Sequence, residues 1–343
     1  MSLGIALAVL FVLVCLAAVG GHAGDTGAWI FGIGLPYLTV VVFVGGFCLR
    51  VARWAKVPVP FRIPTTAGQQ RSLSWIKADA LEAPHGTRGV IGRMLLEVLF
   101  FRSLLRNTRT EIRRDGDGAR VVHNSNLWLW GFALAFHWSL LFIVVRHMRF
   151  FTAPMPFFVR WAESLDSIAQ IGVPIVYLTD VAILVGLAYL FLRRLVTPQL
   201  RYISLPQDYF PLLLIGSIVV SGGLMRYVPH LRVDVTGAKE LGTSLATFAF
   251  AVPAEPIGVM FYIHLFLVCS LLVYLPFSKL MHMGGVFLSP TRNLANNSRE
   301  VRHESPWQLD TDPHTYAEYE DEFREKMAGC ALPLDEPLVK GDG

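Results

Sequence analysis

Charge is what this chain has least of. Lys, Arg, Asp and Glu make up 16% of its 343 residues, against about 25% in a soluble domain, too little polar surface to cover a water-facing globule. A soluble enzyme is excluded. Cysteine is nearly as scarce: Cys15, Cys48, Cys269 and Cys330 are the whole complement, and no two are spaced C-x-x-C. That excludes an iron–sulfur cluster held by this chain alone, a c-type haem attachment site and a disulfide framework. Any redox centre here needs ligands other than cysteine.

Apolar sequence fills the gap. Hydrophobic residues are 53% of the chain and fall in six long blocks, at about 3–20, 28–49, 127–148, 171–192, 209–228 and 257–281. A helix crossing a bilayer needs about 20 such residues. Met1 to Gly4 carry no Lys or Arg, so the charged start of a secretory signal is missing and the first block reads as a retained helix. Basic residues orient the spans. Fourteen Lys and Arg lie in residues 50–125, Arg193, Arg194 and Arg201 mark a later turn, and Arg292, Arg299 and Arg302 follow the sixth block. Residues 20–28 have none. The pattern predicts an all-α integral membrane protein, a six-transmembrane helix bundle with both termini cytoplasmic. Its third span runs outward and its sixth inward.

The expected organisation is two N-terminal transmembrane helices in 1–50, a basic cytoplasmic or interfacial segment in 51–125, a four-helix core in 126–288 and a cytoplasmic tail in 289–343. Within the basic segment, VIGRMLLEVLFFRSLLR (90–106) is apolar but short and interrupted by Arg93, Glu97, Arg102 and Arg106. It reads as an interfacial stretch with snorkelling arginines rather than a seventh span. The tail turns to proline and charge, with one helical stretch, YAEYEDEFREKM. It is expected to dock on a partner; the alternative is a loosely ordered tail.

Of ten histidines, four sit inside the expected spans: His137 and His147 on the third, His264 and His282 on the sixth. Ionisable groups within spans are costly and point to function by default. One alone could be a structural group bonded across helices; two on each of two helices are harder to explain that way. Ten residues separate His137 from His147, a rise of about 15 Å, and eighteen separate His264 from His282, about 27 Å on one helix face. Antiparallel helices would set His137 beside His282 at the cytoplasmic side and His147 beside His264 at the outer side. The rises differ by about 12 Å, which tilt or a kink at Pro276 must absorb. Ligands so spread along one helix cannot converge on a single zinc or copper ion. Two bis-histidine haems b, stacked between the third and sixth helices, fit best.

These residues resemble the cytochrome b (gamma) subunit family of respiratory nitrate reductases. The likeness rests on the His-x9-His span at 137–147, the turn LRRLVTPQLR (192–201) and HLFLVCSLLVYLPFSKLMH (264–282). That family pairs the corresponding histidines as His137 with His282 and His147 with His264. A second likeness covers nearly the whole chain through EVLFFRSLLRNTR (97–109), SPTRNLANNSREVRH (289–303) and HTYAEYEDEFREKM (314–327). These look like the DsrM family, membrane cytochromes of the Dsr sulfur-metabolism complex. That resemblance implies a cytoplasmic DsrK-like iron–sulfur partner of the heterodisulfide-reductase type and the other Dsr membrane subunits. It also implies menaquinone or menaquinol as exchangeable substrate, surrounding lipid, and no nucleic acid.

The nitrate reductase family uses a lysine near its outer haem, and residues 150–170 contain none. They offer an aromatic wall of Phe150, Phe151, Phe157, Phe158 and Trp161, with Arg149, Arg160 and Asp166 as polar candidates. An aromatic belt at the membrane surface accounts for the same aromatics. His147 and Asp180 complete the quinone-site candidates, and a carboxyl bonded to a neighbouring helix is an equal reading of Asp180. Arg146 and Arg149 flank the outer ligand, either to meet haem propionates or to snorkel outward. From another class, a transporter or assembly scaffold whose histidines line a polar cavity predicts broken spans around a midplane site and no haem.

Overall fold

The computed structural model describes residues 2–57, 68–106, 109–115, 118–169, 175–298, 300–302 and 314–336. The chain forms two compact units, Met1–Val57 with Arg62–Arg302 and Pro58–Phe61 with His303–Gly343. In the first unit, α1 is Ser2–Gly21, and a short helix with one π turn leads into α2, Leu35–Ala55. Then come α3 (Thr87–Phe100), a hairpin of β1 (Arg109–Asp115) and β2 (Gly118–Asn124), and α4 (Leu127–His147). They are followed by α5 (Phe157–Asp166), α6 (Leu178–Val196), α7 (Pro206–Tyr227) and α8 (Val235–Ala246). The last long helix, α9 (Val259–Tyr274), is followed by 3-10 turns and α10 (His282–Leu288).

Among the described residues, five stretches are long and apolar enough to cross a membrane: Ser2–Gly21, Gly24–Ala55, Leu127–Phe150, Pro206–Tyr227 and Val259–Phe277. The block expected at 171–192 differs from its prediction. Its helix, α6, starts only at Leu178, after a short strand pair between Ser167–Ala169 and Val176–Tyr177. Asp180, Arg193 and Arg194 lie within its length and make it more polar than the others. Residues 171–174 lie outside the described residues.

Side-chain contacts give the helix directions. Phe132 of α4 stacks on Tyr189 of α6 at 4.2 Å, while Arg146 of α4 reaches Asp180 of α6 at 2.7 Å; the two run antiparallel. Gly186 permits their close approach, because a Cβ there would lie 3.1 Å from Cβ of Phe136. Phe136, Ile183, Leu187 and Ile215 form the core where α4, α6 and α7 meet. Asp208 of α7 meets Lys279 beyond α9, and Ser221 of α7 meets His264 of α9, so α7 and α9 are antiparallel. By contrast α2 runs parallel to α9, with Gly32 ahead of α2 beside Tyr262 and Gly46 beside Pro276. A second core of Ile33, Ala238, Leu241 and Ile257 joins the chain before α2 to α8 and the approach to α9.

Two expectations change. The protein is mostly helical rather than all-α, since β1 and β2 pair antiparallel from Arg109 opposite Asn124 to Asp115 opposite Gly118. Arg93, expected to snorkel, is 2% exposed. Its guanidinium donates to the carbonyls of Arg292 (3.1 and 2.6 Å), Leu294 (2.8 Å) and Glu82 (3.3 Å). Glu82 in turn pairs with Arg102 and Arg106. Asn296 N–H donates to the carbonyl of Pro84 at 2.6 Å. Residues 292–296 are thereby bound to α3 and the loop before it. That assembly abuts α4, whose Trp138 and Trp130 indoles donate to the carbonyls of Leu99 and Phe100.

In the second unit, α11 (Tyr316–Gly329) opens with a capping box in which Thr315 and Glu318 satisfy each other's backbone N–H. Glu320 accepts from the N–H groups of Asp335 (2.7 Å) and Glu336 (2.9 Å), which hold its carboxyl below the usual carboxylate range. Because the folded form has the lower pKa, this closure persists above about pH 4 and is lost as acid protonates the group.

Replacing Arg93 by leucine leaves buried carbonyls without donors, a loss of about 3 kcal/mol. Arg93→Leu is expected to lower the thermal unfolding midpoint in detergent and to open the chain after residue 289 to protease. Wild-type protection of that segment would disprove the clamp.

Candidate functional site

Each of the four histidines has its Nδ1 engaged; three lie within the apolar stretches, and His282 lies just beyond the end of the last one. On α4, His137 donates to the carbonyl of Ala133 and His147 to that of Ile143, each one helical turn back at 2.7 Å. His282 donates to the carbonyl of Lys279 at 2.9 Å. His264 lies 2.9 Å from the Ser221 hydroxyl, whose own proton goes to the carbonyl of Ile218 at 3.0 Å. Ser221 therefore accepts and His264 Nδ1 donates. All four rings carry their proton on Nδ1 and keep Nε2 free, the arrangement that orients an imidazole as a metal ligand and raises its basicity.

The rings meet in two pairs. The centres of His137 and His282 are 6.0 Å apart with planes at 83°, and those of His147 and His264 are 6.4 Å apart with planes at 16°. Two imidazoles on opposite sides of one metal ion have centres about 6 Å apart, given a metal–nitrogen bond of about 2 Å. No group of three or more His, Cys, Asp or Glu gathers among the described residues. A metal between either pair would have to draw its remaining ligands from a macrocycle, and the donor set fits the axial pair of a haem.

A break in the last helix lies between His264 and His282. α9 ends at Tyr274, and 3-10 turns at Leu275–Phe277 and Lys279–Met281 carry the chain to His282. Between them Ser278 is extended and its hydroxyl accepts from Leu280 N–H. The rise of a straight helix therefore stops applying at Pro276. Phe101, in the left-handed conformation at φ 50°, ends α3 and sets its ring edge-on to His137 at 4.9 Å. Around His264, Gly222 leaves room for the ring, since a Cβ there would lie 3.3 Å from its Cε1.

Beside His147 is a buried charge network. Arg146 lies 3.1 Å from Asp166 and 2.7 Å from Asp180, and donates to the Thr179 hydroxyl at 3.0 Å. Thr179 gives Asp166 both its N–H (2.8 Å) and its hydroxyl (2.6 Å). The Tyr227 hydroxyl donates to Asp180 at 2.8 Å. Tyr177 lies between the guanidinium groups of Arg146 (3.8 Å) and Arg226 (4.4 Å). Arg146 thus neither snorkels nor stands free for a propionate.

The other candidates separate. Arg149 pairs with Glu163 at 2.9 Å, and Arg160 is exposed on α5. Phe157 and Trp161 are 77% and 64% exposed, facing outward as an interface belt does. An apolar cavity of about 480 Å³ opens instead between α1, α6, α7 and α9, lined by Val14, Leu184, Ser217 and Ser221 among others. The sequence reading missed Thr179, Tyr227 and Ser221, because a hydroxyl inside an apolar run carries no pattern of its own.

Residues 90–303 match the family described as nitrate reductase gamma subunit. The chain belongs to that family. The matched span of this gamma-type chain contains all four paired histidines and begins after α1 and α2. The chain is also 44% identical over 284 residues to the Hdr-like menaquinol oxidoreductase cytochrome b-like subunit of Archaeoglobus fulgidus, covering 81% of this chain and 83% of that one. The protein of the same description from Archaeoglobus profundus is 41% identical, over 80% and 81%. A subunit of the dihydromethanophenazine:CoB–CoM heterodisulfide reductase of Methanosarcina thermophila is 23% identical, over 78% and 91%. With its apolar helices, the gamma-type chain is a multi-pass membrane protein consistent with a DsrM-like cytochrome b.

Removing one member of a buried ion pair costs about 3–5 kcal/mol. Asp166→Ala is expected to destabilise the folded protein by that order, read as a lower unfolding midpoint. Asp180→Asn, at a side chain 25% exposed, is expected to cost less than half as much. Equal losses would refute this division of roles.

Proposed function

We propose that this chain is a di-haem cytochrome b subunit that carries electrons between the membrane quinone pool and a cytoplasmic iron–sulfur subunit of the heterodisulfide-reductase type. The observation carrying this reading is the two histidine pairs, at axial-ligand separation, with every Nδ1 engaged. Haem b with both axial positions filled supplies one-electron transfer without binding substrate at iron. His137 and His282 hold one haem; His147 and His264 hold the other.

Six crossings are the count we adopt. α4 and α7 both run antiparallel to α9, so the chain must return between them, and α6, antiparallel to α4, is the element available. The parallel course of α2 and α9 supports the same count. With the basic residues inside, both termini and the 137/282 pair are cytoplasmic and the 147/264 pair is outward.

Quinol, a menaquinol by analogy with the names of the Archaeoglobus relatives, is oxidised at the outward pair. Asp180, partly exposed and bonded to the Tyr227 hydroxyl, is placed to take a proton there. Asp166 holds Arg146 and is saturated with donors. His147, Arg149 and Arg160 remain candidates for the quinone headgroup. Electrons move inward while protons stay outside, and reversal from a sulfur or thiol donor uses the same residues. The partner is a DsrK-like subunit within a Dsr-type assembly, met by the region after residue 302. This chain has no centre for sulfur chemistry itself.

Reduced-minus-oxidised spectra of the purified protein, with pyridine haemochrome quantification and menaquinol titration, test the reading. Two non-covalent haems b per chain, at least one reduced by the quinol, are expected. His264→Ala should lose the outward haem and the quinol response; His282→Ala should lose only the cytoplasmic-side haem. A folded wild type without haem defeats the proposal, and a variant retaining two unaltered haems defeats the ligand assignment.

The Arg93 clamp moves the boundary for a tail truncation. Deleting 303–343, which leaves residues 292–296 bound to α3, is expected to release the iron–sulfur subunit on co-purification with haem content intact. Undiminished co-purification would remove the tail from the docking surface.

A further inference from the structure

Arg50 lies on α2, within the two N-terminal helices that precede the matched span 90–303. Phe47, Arg50 and Trp54 follow one face of that helix at i, i+3 and i+7. The residues on either side of Arg50 touch the segment that begins with His282. A Cβ on Gly284 would lie 3.3 Å from the Phe47 ring, and one on Gly285 would lie 3.5 Å from the Trp54 ring. Gly46, one residue earlier, faces Pro276. The face bearing Arg50 is therefore turned to the His282 end of the bundle.

Its guanidinium lies over Trp54, 5.4 Å from the ring centre. The Nε of Arg50 is closed to solvent and has no hydrogen-bond acceptor. Two other described arginines share that condition at Nε, but Arg146 has Asp166 and Asp180 in ion-pair range, and Arg324 has Glu320 and Asp321. No carboxylate stands in that range of Arg50 among the described residues. Several other cations toward this end have partners: Lys279 with Asp208, Arg194 with Ser204, Arg292 with Glu97, and Arg102 and Arg106 with Glu82. A buried guanidinium nitrogen without an acceptor is costly. The missing group is an anion able to take a forked donor, as a carboxylate does.

We infer that Arg50 binds a propionate of the haem held by His137 and His282, so that α2 completes a cofactor site otherwise built from the family's common core. This rests on the di-haem reading above. The competing source of a suitable anion is a lipid phosphate at the membrane surface, toward which an arginine near a helix end can snorkel.

The test is potentiometric titration of both haems in the full-length protein, comparing wild type, Arg50→Gln and Arg50→Lys. A positive charge near a haem disfavours the oxidised form, so its removal lowers the midpoint potential. Arg50→Gln is expected to shift one of the two waves downward, and the shifted wave should be the one absent from His282→Ala. Selective loss of that haem supports the inference equally. If Arg50→Gln retains neither haem, Arg50→Lys decides: it keeps the charge but not the fork, and a change confined to the same haem is expected. Two unshifted waves, a shift confined to the other haem, or loss of bound anionic lipid without a shift would overturn the assignment. A haem-free wild type would instead defeat the reading on which it rests.

Discussion

Pro276 has no N–H to give to a carbonyl one turn back, and the last long helix stops just before it. Much of the histidine geometry depends on that stop. Without it His282 would lie about 27 Å along a straight helix from His264, against about 15 Å between His137 and His147. Beyond it the straight-helix rise no longer holds: 3-10 turns and an extended Ser278 lead to His282, and the two ring pairs have nearly the same separation. The Lys279 carbonyl that accepts from His282 is itself part of the turn. One break therefore sets both the position and the tautomer of the ring.

At the two ends, different forces hold the pairs in place. Near His147 the support is ionic. Arg146 is shared by two carboxylates, with hydroxyls from Thr179 and Tyr227 filling the remaining acceptor sites. A charge cluster of this kind tolerates burial only because its lone pairs and protons are nearly all used. Asp180, with its side chain 25% exposed, is the less enclosed of the two carboxylates. Near His137 the support is mainly backbone. Arg93 ties the carbonyls after α10 to α3, and the left-handed Phe101 turns its ring onto the histidine. The two ring pairs also differ in orientation, one crossed and one nearly parallel.

The most polar of the long core helices is α6, between α4 and α7 in the chain. α6 carries Asp180 at one end and Arg193 and Arg194 at the other, so composition alone sets it apart from the other spans. Its contacts with α4 at Phe132 and Arg146 nevertheless run the length of both helices. Because α4 and α7 point the same way, the chain must come back between them. Helix direction, which hydropathy does not report, is what brings α6 into the count.

The sequence by itself determined the membrane class, the positions of five apolar helices and which four histidines stand out. Each of these follows from a one-dimensional property: scarcity of charge, length of apolar run, or an ionisable residue where hydrocarbon would penalise it. It also carried the pairing, because antiparallel helices leave few alternatives for two ligands on each. Only the tertiary structure decided that Arg93 is buried, that Arg146 is committed to two carboxylates, that Ser221 serves His264, and that Arg50 faces the His282 end. These depend on which carbonyl, hydroxyl or carboxylate lies across the interface, and side chains meeting there are up to about two hundred residues apart in the chain. A spacing pattern reports what one helix presents, whereas the partner of a buried polar group is fixed by packing between helices.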